Sequence, residues 1–158
     1  MNIFVVHSDP ALAARDLCDQ HAVKMPLESV QMLCTVLHKR GLPAAYKPSH
    51  ARHPCTLWAE SSEENWRWLI DHARALFEEY TRRYSKTHKS EAILREIEKQ
   101  KLVFPSRVLT PFAQAMPDEY KDADAVRAYR AYYRGEKASM ARWVRRGSPP
   151  AWMGDSFL

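Results

Sequence analysis

The sequence predicts a mainly α protein: a single-domain orthogonal helical bundle over residues 1–158, with at most one short N-terminal strand. Apolar residues recur at intervals of three and four along much of the chain, which is the period of a helix that packs on one face. Serine, aspartate or proline precedes these stretches, and glycine follows two of them, as is typical of helix ends. Residues 3–6 alone form a short, continuously apolar run of the strand type.

The first two helices are predicted from their end signals. Asp9-Pro10 combines an N-cap acid with a proline at the first helical position, and it predicts a helix over residues 10–20. Pro26 is expected to begin a second helix that extends to Lys39, and Gly41 ends it. The apolar face of this second helix consists of Leu27, Val30, Leu33, Cys34 and Leu37.

The third helix follows Ser61-Ser62-Glu63-Glu64, a capping-box pattern, and extends to Tyr84. A shorter helix follows over Ser90–Lys99. Asp122 or Asp124 caps a last helix, which reaches about Arg134 or continues to Trp143. The second and third helices are expected to pack against each other through Val30, Leu33, Leu37, Trp66, Leu69 and Ile70.

Composition and charge exclude several classes of protein. With 46% hydrophobic and 27% charged residues, the chain resembles an average soluble globular protein. Its apolar start is too short for a signal peptide, and no stretch approaches the roughly 20 apolar residues that span a bilayer. Three cysteines are too few for a disulfide scaffold and favour a reducing cytoplasm. Between residues 125 and 148, seven cations accompany one anion, which favours a phosphate-bearing partner.

The first candidate site consists of four polar residues spaced by three, four and three positions: His21, Lys24, Glu28 and Gln31. If one helix continues through Pro26, these residues share a face. An amine, a carboxylate and an imidazole in one pocket would bind phosphate, accept a proton and transfer one. The alternative is an ordinary solvated face.

The second candidate site is a loop before a helix that begins at Pro54. It carries two cations and two imidazoles: Lys47, His50, Arg52 and His53. Because the first amides of a helix are unpaired, this arrangement predicts an anion site, with a solvated loop as the alternative. A third interpretation is a zinc site formed by Cys18, His21, His53 and Cys55.

Two further segments carry functional signals. Residues 110–121 contain two prolines and adjacent acids and are predicted to form a turn. In the last helix, one cationic ridge is formed by Arg127, Arg130, Arg134 and Lys137, with tyrosines beside it. Arginine binds phosphate with a rigid fork and tyrosine stacks on exposed bases, so the ridge predicts a DNA-binding face. The alternative is that the tyrosines belong to the core.

These segments resemble one small phage protein family over nearly the whole chain. The matching motifs are His21-x-x-Lys24-Met25-x-Leu27-Glu28-x-x-Gln31, His50-x-x-His53-Pro54-Cys55-x-x-Trp58-x-x-x-Ser62-x-x-Asn65, Gln114-x-Met116-Pro117-Asp118-Glu119-Tyr120 and Ala128-Tyr129-Arg130-x-Tyr132-Tyr133-x-Gly135-Glu136-Lys137. Members of that family are described as amino acid:DNA transferases of thymidine hypermodification. Some relatives carry the label pyrimidine-dimer DNA glycosylase-like.

The resemblance implies a specific reaction. A DNA kinase first phosphorylates 5-hydroxymethyluracil in phage DNA, and the transferase then displaces phosphate from 5-phosphomethyl-2′-deoxyuridine with the amino group of an amino acid such as glycine. The implied partners are double-stranded DNA carrying modified thymidine and a free amino acid, with no cofactor, no metal and no membrane. The implied location is the cytoplasm of the phage-infected bacterial cell. The oligomeric state is left open.

The resemblance also assigns roles to residues. The expected catalytic residues are His21, Lys24, Glu28, His50 and His53. Substrate binding is expected of Gln31, Arg52, Asn65, Gln114, Asp118 and Tyr120, and DNA binding of Arg127, Tyr129, Arg130, Tyr133, Arg134 and Lys137. Cations and imidazoles would accept the leaving phosphate, and Glu28 or His21 would take a proton from the attacking amine.

Two functions of other classes remain open. A DNA glycosylase–lyase acting on modified or damaged pyrimidines attacks C1′ with an amine, either a free N-terminal amine or a desolvated lysine such as Lys24. We expect Met1 to be retained because it precedes the large Asn2. A non-catalytic DNA-binding accessory protein needs only cations, so the clustered imidazoles and carboxylate argue against it.

Overall fold

The computed structural model describes residues 1–154, and it is mainly α-helical as predicted. Its helices are α1 Pro10–Asp16, α2 Asp19–Lys39, α3 Pro54–Ser61, α4 Glu63–Tyr84, α5 Glu91–Glu98 and α6 Ala125–Tyr132. A π-helical turn over Tyr133–Lys137 extends α6, and 3-10 turns lie at Asp118–Tyr120 and Ala151–Met153. Within the described residues, no helix has the length and apolar character needed to cross a membrane.

The N-terminal segment that was the strand candidate does not form a strand, and residues 1–154 contain no other strand for it to pair with. The Asn2 side-chain oxygen instead accepts hydrogen bonds from the amides of Ile3 and Phe4, at 2.8 and 3.3 Å. Phe4 has a φ of 58°, which is incompatible with regular strand geometry. Residues 3–6 are all buried in the core, so their continuous apolar pattern reflects burial and not sheet pairing.

The boundary between α1 and α2 differs from the prediction. The first helix ends at Asp16 because Leu17 and Cys18 are extended, and α2 then begins at Asp19, seven residues before Pro26. The helix therefore continues through the proline, although its ring nitrogen has no hydrogen to donate to the preceding turn. Burial of most of the α2 surface, including Pro26 itself, compensates for that missing hydrogen bond.

Helix α4 is the centre of the packing and contacts α1, α2, α3 and α5. It begins where the capping pattern predicts, because the Ser62 hydroxyl accepts a hydrogen bond from the Asn65 amide at 3.1 Å. The predicted packing of α2 against α4 is confirmed, since all six predicted contact residues are buried in one core: Val30, Leu33, Leu37, Trp66, Leu69 and Ile70.

A buried arginine connects the end of α4 to the start of α2. The Arg83 side chain is fully buried, and its guanidinium binds Glu79 at 2.9 Å and Asp19 at 3.2 Å. It also donates to the carbonyl oxygens of Leu17 and Arg15, each at 2.9 Å. The extended junction between α1 and α2 is therefore held in place, and with it the first turns of α2.

The last part of the chain packs around the π-helical turn. A Cβ atom on Gly135 would lie 2.5 Å from the Tyr120 hydroxyl oxygen, so the absence of a side chain there lets the 118–120 turn pack closely. Asp124 caps α6 by accepting from the amides of Val126 and Arg127. Regular helix ends at Lys137 and does not reach Trp143.

Candidate active site

A pocket of about 480 Å³ opens between the N-terminal segment, α2, the start of α3 and the segment before α6. That volume lies within the usual range for sites that take small molecules. Four of the five residues expected to be catalytic line it, namely His21, Lys24, Glu28 and His53. The other polar groups of the lining come from both ends of the chain: Met1, Asn2, Gln114, Lys121, Tyr132 and Lys137.

Glu28 is the buried carboxylate of the pocket, with 7% of the residue exposed. One of its oxygens, Oε1, lies 3.3 Å from the Nζ atom of Lys24, one helical turn earlier on α2. The other, Oε2, accepts the Asn2 amide at 3.1 Å and lies 3.7 Å from the Met1 α-amino nitrogen. Because α2 is continuous through Pro26, the carboxylate and the lysine share the face that lines the pocket. Glu28 is thus oriented by two amino groups and one amide, in a position to accept a proton.

His21 forms the inner wall of the pocket. Its ring stacks on Phe4 with centroids 4.2 Å apart, and its Nδ1 atom is hydrogen-bonded to the hydroxyl of Tyr133. Burial lowers the pKa of His21 to about 3, and the nearby charges of Lys137 and Lys24 act in the same direction. The imidazole is therefore neutral at physiological pH.

His53 enters the pocket from the start of α3, where it is the N-cap residue. Its Nδ1 atom accepts a hydrogen bond from the Cys55 amide at 3.1 Å. Burial lowers the pKa of His53, and the N-terminal ammonium and His50 lower it further, whereas Glu28 opposes the shift. His50 is exposed beside this site, with its ring centroid 6.5 Å from that of His53, and it does not line the pocket itself.

Strained backbone lies next to the pocket. Three residues other than glycine have a positive φ within the described chain: Phe4, His50 and Ser85. Ser85 ends α4, where this conformation is common. Phe4 and His50 instead support His21 and His53, and for bulky residues such a conformation costs on the order of 1–3 kcal/mol. Strain concentrated beside two histidines supports assigning a function to this pocket.

The residues expected to bind substrate are mostly outside the pocket. Gln114 lines it, but its amide is already paired with the backbone nitrogen and oxygen of Asp122, at 3.1 and 2.6 Å. Asn65 is fully buried and connects Trp58 to Thr110 through its side-chain amide, which is a structural role. The remaining four do not line the pocket: Gln31, Arg52, Asp118 and Tyr120.

The cationic ridge of α6 is largely engaged within the protein. Arg130 donates to the Val6 carbonyl at 2.8 Å, and Arg134 donates to the Trp152 carbonyl at 2.9 Å. Arg127 pairs with Asp122 at 3.1 Å. Lys137 differs from these arginines because it lines the pocket, with its Nζ atom 4.9 Å from the centre of the Tyr132 ring.

Two tyrosines expected to bind DNA belong to the core instead. Tyr129 and Tyr133 have no exposed surface, so their side chains are not available to stack on a base. The Tyr129 hydroxyl donates toward Asn2 and the Ala113 carbonyl, at 3.0 and 2.8 Å. The sequence leaves two interpretations of the tyrosines open, a DNA-binding role or a place in the core. For Tyr129 and Tyr133 the core is correct.

The structure adds pocket residues that the sequence patterns did not indicate. Lys121 lines the pocket and directly follows the 114–120 motif. This adjacency is the sequence feature that could have identified it as a pocket residue. Asn2 is a polar residue at the start of an apolar run, and its side chain donates to the Ala115 carbonyl at 2.7 Å. Nothing in the sequence indicates that the two ends of the chain meet there.

The proposed zinc site is not assembled. Among the residues that the structure describes, no group of three or more His, Cys, Asp or Glu side chains could hold a metal ion. The Cys18 sulfur lies 3.6 Å from the Tyr133 hydroxyl, and the Cys55 sulfur lies 3.9 Å from Asn2 Oδ1. A larger groove of about 620 Å³ between α4 and α5 is lined by two arginine–glutamate pairs, Arg74–Glu98 and Arg95–Glu91, whose charges offset each other.

One family model matches the chain. It is described as pyrimidine dimer DNA glycosylase and covers residues 1–92. No significant match is found among curated proteins or among solved structures. The matched region includes Met1, His21, Lys24, Glu28 and His53, whereas the lysines on the opposite wall come from the part of the chain beyond it.

Proposed function

This chain belongs to the pyrimidine dimer DNA glycosylase family, and on that premise we propose that it transfers an amino acid, through its amino group, to 5-phosphomethyl-2′-deoxyuridine in DNA. Family membership is consistent with an enzyme that acts on pyrimidines in DNA. The observation that carries the transfer reaction is a buried carboxylate, Glu28, in one pocket with three lysines: Lys24, Lys121 and Lys137.

This combination of charges matches the two requirements of the reaction. The amine of the amino acid loses a proton before it attacks, and Glu28 accepts that proton. The new C–N bond forms at the exocyclic methylene as its C–O bond to phosphate breaks, and the phosphate leaves with the electron pair. The lysine ammonium groups stabilise the charge of the departing phosphate dianion. A binding protein that only neutralises the DNA backbone has no use for the buried carboxylate.

The shape of the pocket favours a nucleotide that is rotated out of the duplex. The reacting methylene is attached to C5 of the pyrimidine, and inside a duplex it points into the major groove. A pocket that is bounded by buried groups such as His21 and Glu28 is not accessible to a stacked base, so the base is flipped into it. Lys24 and Lys121 pair with Glu28 at 3.3 Å and with Asp118 at 2.7 Å, but both lysines are exposed and can exchange these partners for the phosphates of the surrounding strand.

The test is nucleoside analysis by mass spectrometry after DNA containing 5-phosphomethyluracil is incubated with the protein and glycine. Wild type is expected to form Nα-glycyl-thymidine and release phosphate. Glu28→Gln and Lys24→Ala are each expected to reduce turnover roughly 10²-fold, the usual effect of losing a general base or charge stabilisation, with DNA affinity within a few-fold.

The matched controls are Glu78→Gln and Lys86→Ala, which change exposed residues outside the pocket. Both are expected to retain wild-type turnover. Absence of glycyl-thymidine with wild type, when a mixture of other amino acids is also inactive, would contradict the transfer reaction. Equal turnover by Glu28→Gln and wild type would contradict the role of the carboxylate.

A second candidate is a DNA glycosylase–lyase, which is favoured by the amines beside Glu28. The Met1 α-amino nitrogen lies 3.7 Å from one carboxylate oxygen and Lys24 Nζ lies 3.3 Å from the other. In that reaction an amine bonds to C1′, the bond from C1′ to the base breaks, and the base leaves with the electron pair. Borohydride reduction would then trap the imine as a protein–DNA adduct. A trapped adduct without glycyl-thymidine would select this function, and peptide mapping would distinguish Met1 from Lys24.

A further inference from the structure

We propose that Tyr133 is a positioning residue that holds His21 in the tautomer with its proton on Nε2, so that His21 donates a hydrogen bond to an oxygen of the substrate. This inference rests on the proposed function, because the pocket must bind a nucleotide. It assigns His21 a role as a donor, in place of the proton acceptor or shuttle suggested by the sequence.

The Tyr133 hydroxyl is fully buried and has three neighbouring atoms that can share a hydrogen bond with it. The Cys18 amide donates to it at 3.4 Å. Two possible acceptors for its proton lie nearby, the Cys18 sulfur at 3.6 Å and the Nδ1 atom of His21, which is the closer contact. A thiol sulfur is a weak acceptor and an imidazole nitrogen is a good one. The hydroxyl proton therefore points to Nδ1 of His21.

The single proton of the neutral His21 ring lies on the nitrogen that does not contact Tyr133. A neutral imidazole carries one proton, and if Nδ1 accepts a hydrogen bond the proton is on Nε2. Burial keeps His21 neutral, with its pKa lowered to about 3, and the ammonium groups of Lys24 and Lys137 also disfavour the charged form. Glu28 lines the same pocket, and its carboxylate pairs with both the Met1 amino group and Lys24.

Aromatic packing holds the His21 ring at the wall of the pocket. One face of the His21 ring stacks on Phe4, and the Tyr133 ring meets it edge-on with centroids 5.3 Å apart. The ring lines the pocket, and none of the described hydrogen bonds within residues 1–154 involves Nε2. The group that this N–H recognises is an acceptor oxygen, either a phosphate oxygen or a pyrimidine carbonyl oxygen of the nucleotide.

The direct test is a long-range ¹H–¹⁵N NMR spectrum of protein labelled at its histidine nitrogens, recorded at pH 8 and pH 5.5. Wild type is expected to have His21 Nδ1 unprotonated and Nε2 protonated at both pH values. Tyr133→Phe retains the buried ring but removes the donor, and it is expected to show a mixture of tautomers. Protonated Nδ1 in wild type, or a His21 spectrum unchanged by Tyr133→Phe, would overturn the proposal.

A kinetic test uses variants that separate donor ability from packing. The side-chain amide of His21→Gln can donate from a position close to Nε2, whereas His21→Phe retains only the ring. We expect kcat to fall less than about 10-fold for His21→Gln and about 10²-fold or more for His21→Phe, as for loss of a preorganised donor. Tyr133→Phe is expected to lower kcat with little change in KM for DNA, whereas the control Tyr80→Phe retains both values.

Equal losses for His21→Gln and His21→Phe would contradict the donor role. The two tests also separate this proposal from the proposed function, since the tautomer is measured without substrate. If wild type does not turn over phosphomethylated DNA but the spectrum has the expected tautomer, the transfer reaction fails and the positioning by Tyr133 stands. If the transfer reaction is observed and Nδ1 is protonated, the opposite holds.

Discussion

The stability of this protein is expected to decrease below pH 7 because histidines are buried in neutral form, and His72 contributes most directly. His72 is fully buried on α4, where its ring stacks on Trp68 with centroids 4.9 Å apart and its Nδ1 lies 2.9 Å from the Pro10 carbonyl oxygen. Burial lowers the pKa of His72 from 6.5 to about 4, although the carbonyl oxygens of Pro10 and Ile3 partly oppose the shift. The folded protein therefore excludes a proton that the unfolded chain binds.

The sign and size of the effect follow from linkage. The contribution of His72 to stability is fully present above pH 6.5 and is lost as the pH falls toward 4, because unfolding then takes up a proton. A shift of about 2.5 pH units corresponds to about 3 kcal/mol over the whole range. Between pH 7 and pH 5 the loss from His72 is about 2 kcal/mol. His21, His53 and His88 also have lowered pKa values, so they add to the total loss of wild type.

The assay is urea denaturation followed by tryptophan fluorescence at pH 7 and pH 5. His72→Phe preserves the stacked ring but cannot titrate, so its free energy of unfolding is expected to fall about 2 kcal/mol less than that of wild type between these pH values. Its stability at pH 7 is expected to be lower because the Pro10 carbonyl loses its partner. His72→Asn places an amide nitrogen close to the position of Nδ1, so it retains a donor for that carbonyl and serves as a second non-titrating variant.

The matched control is His38→Phe, which changes an exposed imidazole. A reduction of the pH-dependent loss is assigned to the burial of His72 only where it exceeds the reduction measured for His38→Phe. An equal pH-dependent loss in wild type, His72→Phe and His72→Asn would contradict this prediction, because it would mean that His72 takes up no proton on unfolding. The range above pH 5 is chosen because carboxylates titrate mainly below it.

Three further predictions concern packing and DNA binding. Arg83→Leu is expected to destabilise the protein by about 3–5 kcal/mol in urea denaturation, because it leaves two carboxylates without their buried partner. Arg82→Leu, at the more exposed neighbouring arginine, is expected to cost about 1 kcal/mol or less. Gly135→Ala is expected to cost about 1–3 kcal/mol through overlap with Tyr120, and adding Tyr120→Ala should remove most of that extra cost in a double-mutant cycle. Lys121→Ala is expected to lower the slope of log DNA affinity against log salt concentration by about one unit. Arg130→Ala is the comparison, and an equal reduction of the slope by this variant would mean that the cationic ridge of the last helix also contacts DNA.

The local parts of the fold could be predicted because their causes lie within a few residues of one another. Ser62 caps α4 through an amide three positions away, and Gly41 ends α2 with a φ of 70°. Lys24 and Glu28 meet because both lie on one helix, four residues apart. The continuity of α2 through Pro26 could not be predicted in the same way, since it depends on burial against other elements and not on the proline's own neighbours.

The helical class, most of the helix starts and the residues of one pocket wall could be predicted from local sequence patterns. Tertiary contacts instead select the buried face of α6 and of the π-helical turn after it, because Tyr129 and Tyr133 alternate with cations along these two segments. The partners that decide it are far away in sequence: Val6 for Arg130, Asn2 for Tyr129 and His21 for Tyr133. Helical periodicity places residues on a face, but hydrogen-bonding partners more than a hundred residues away determine whether that face is buried.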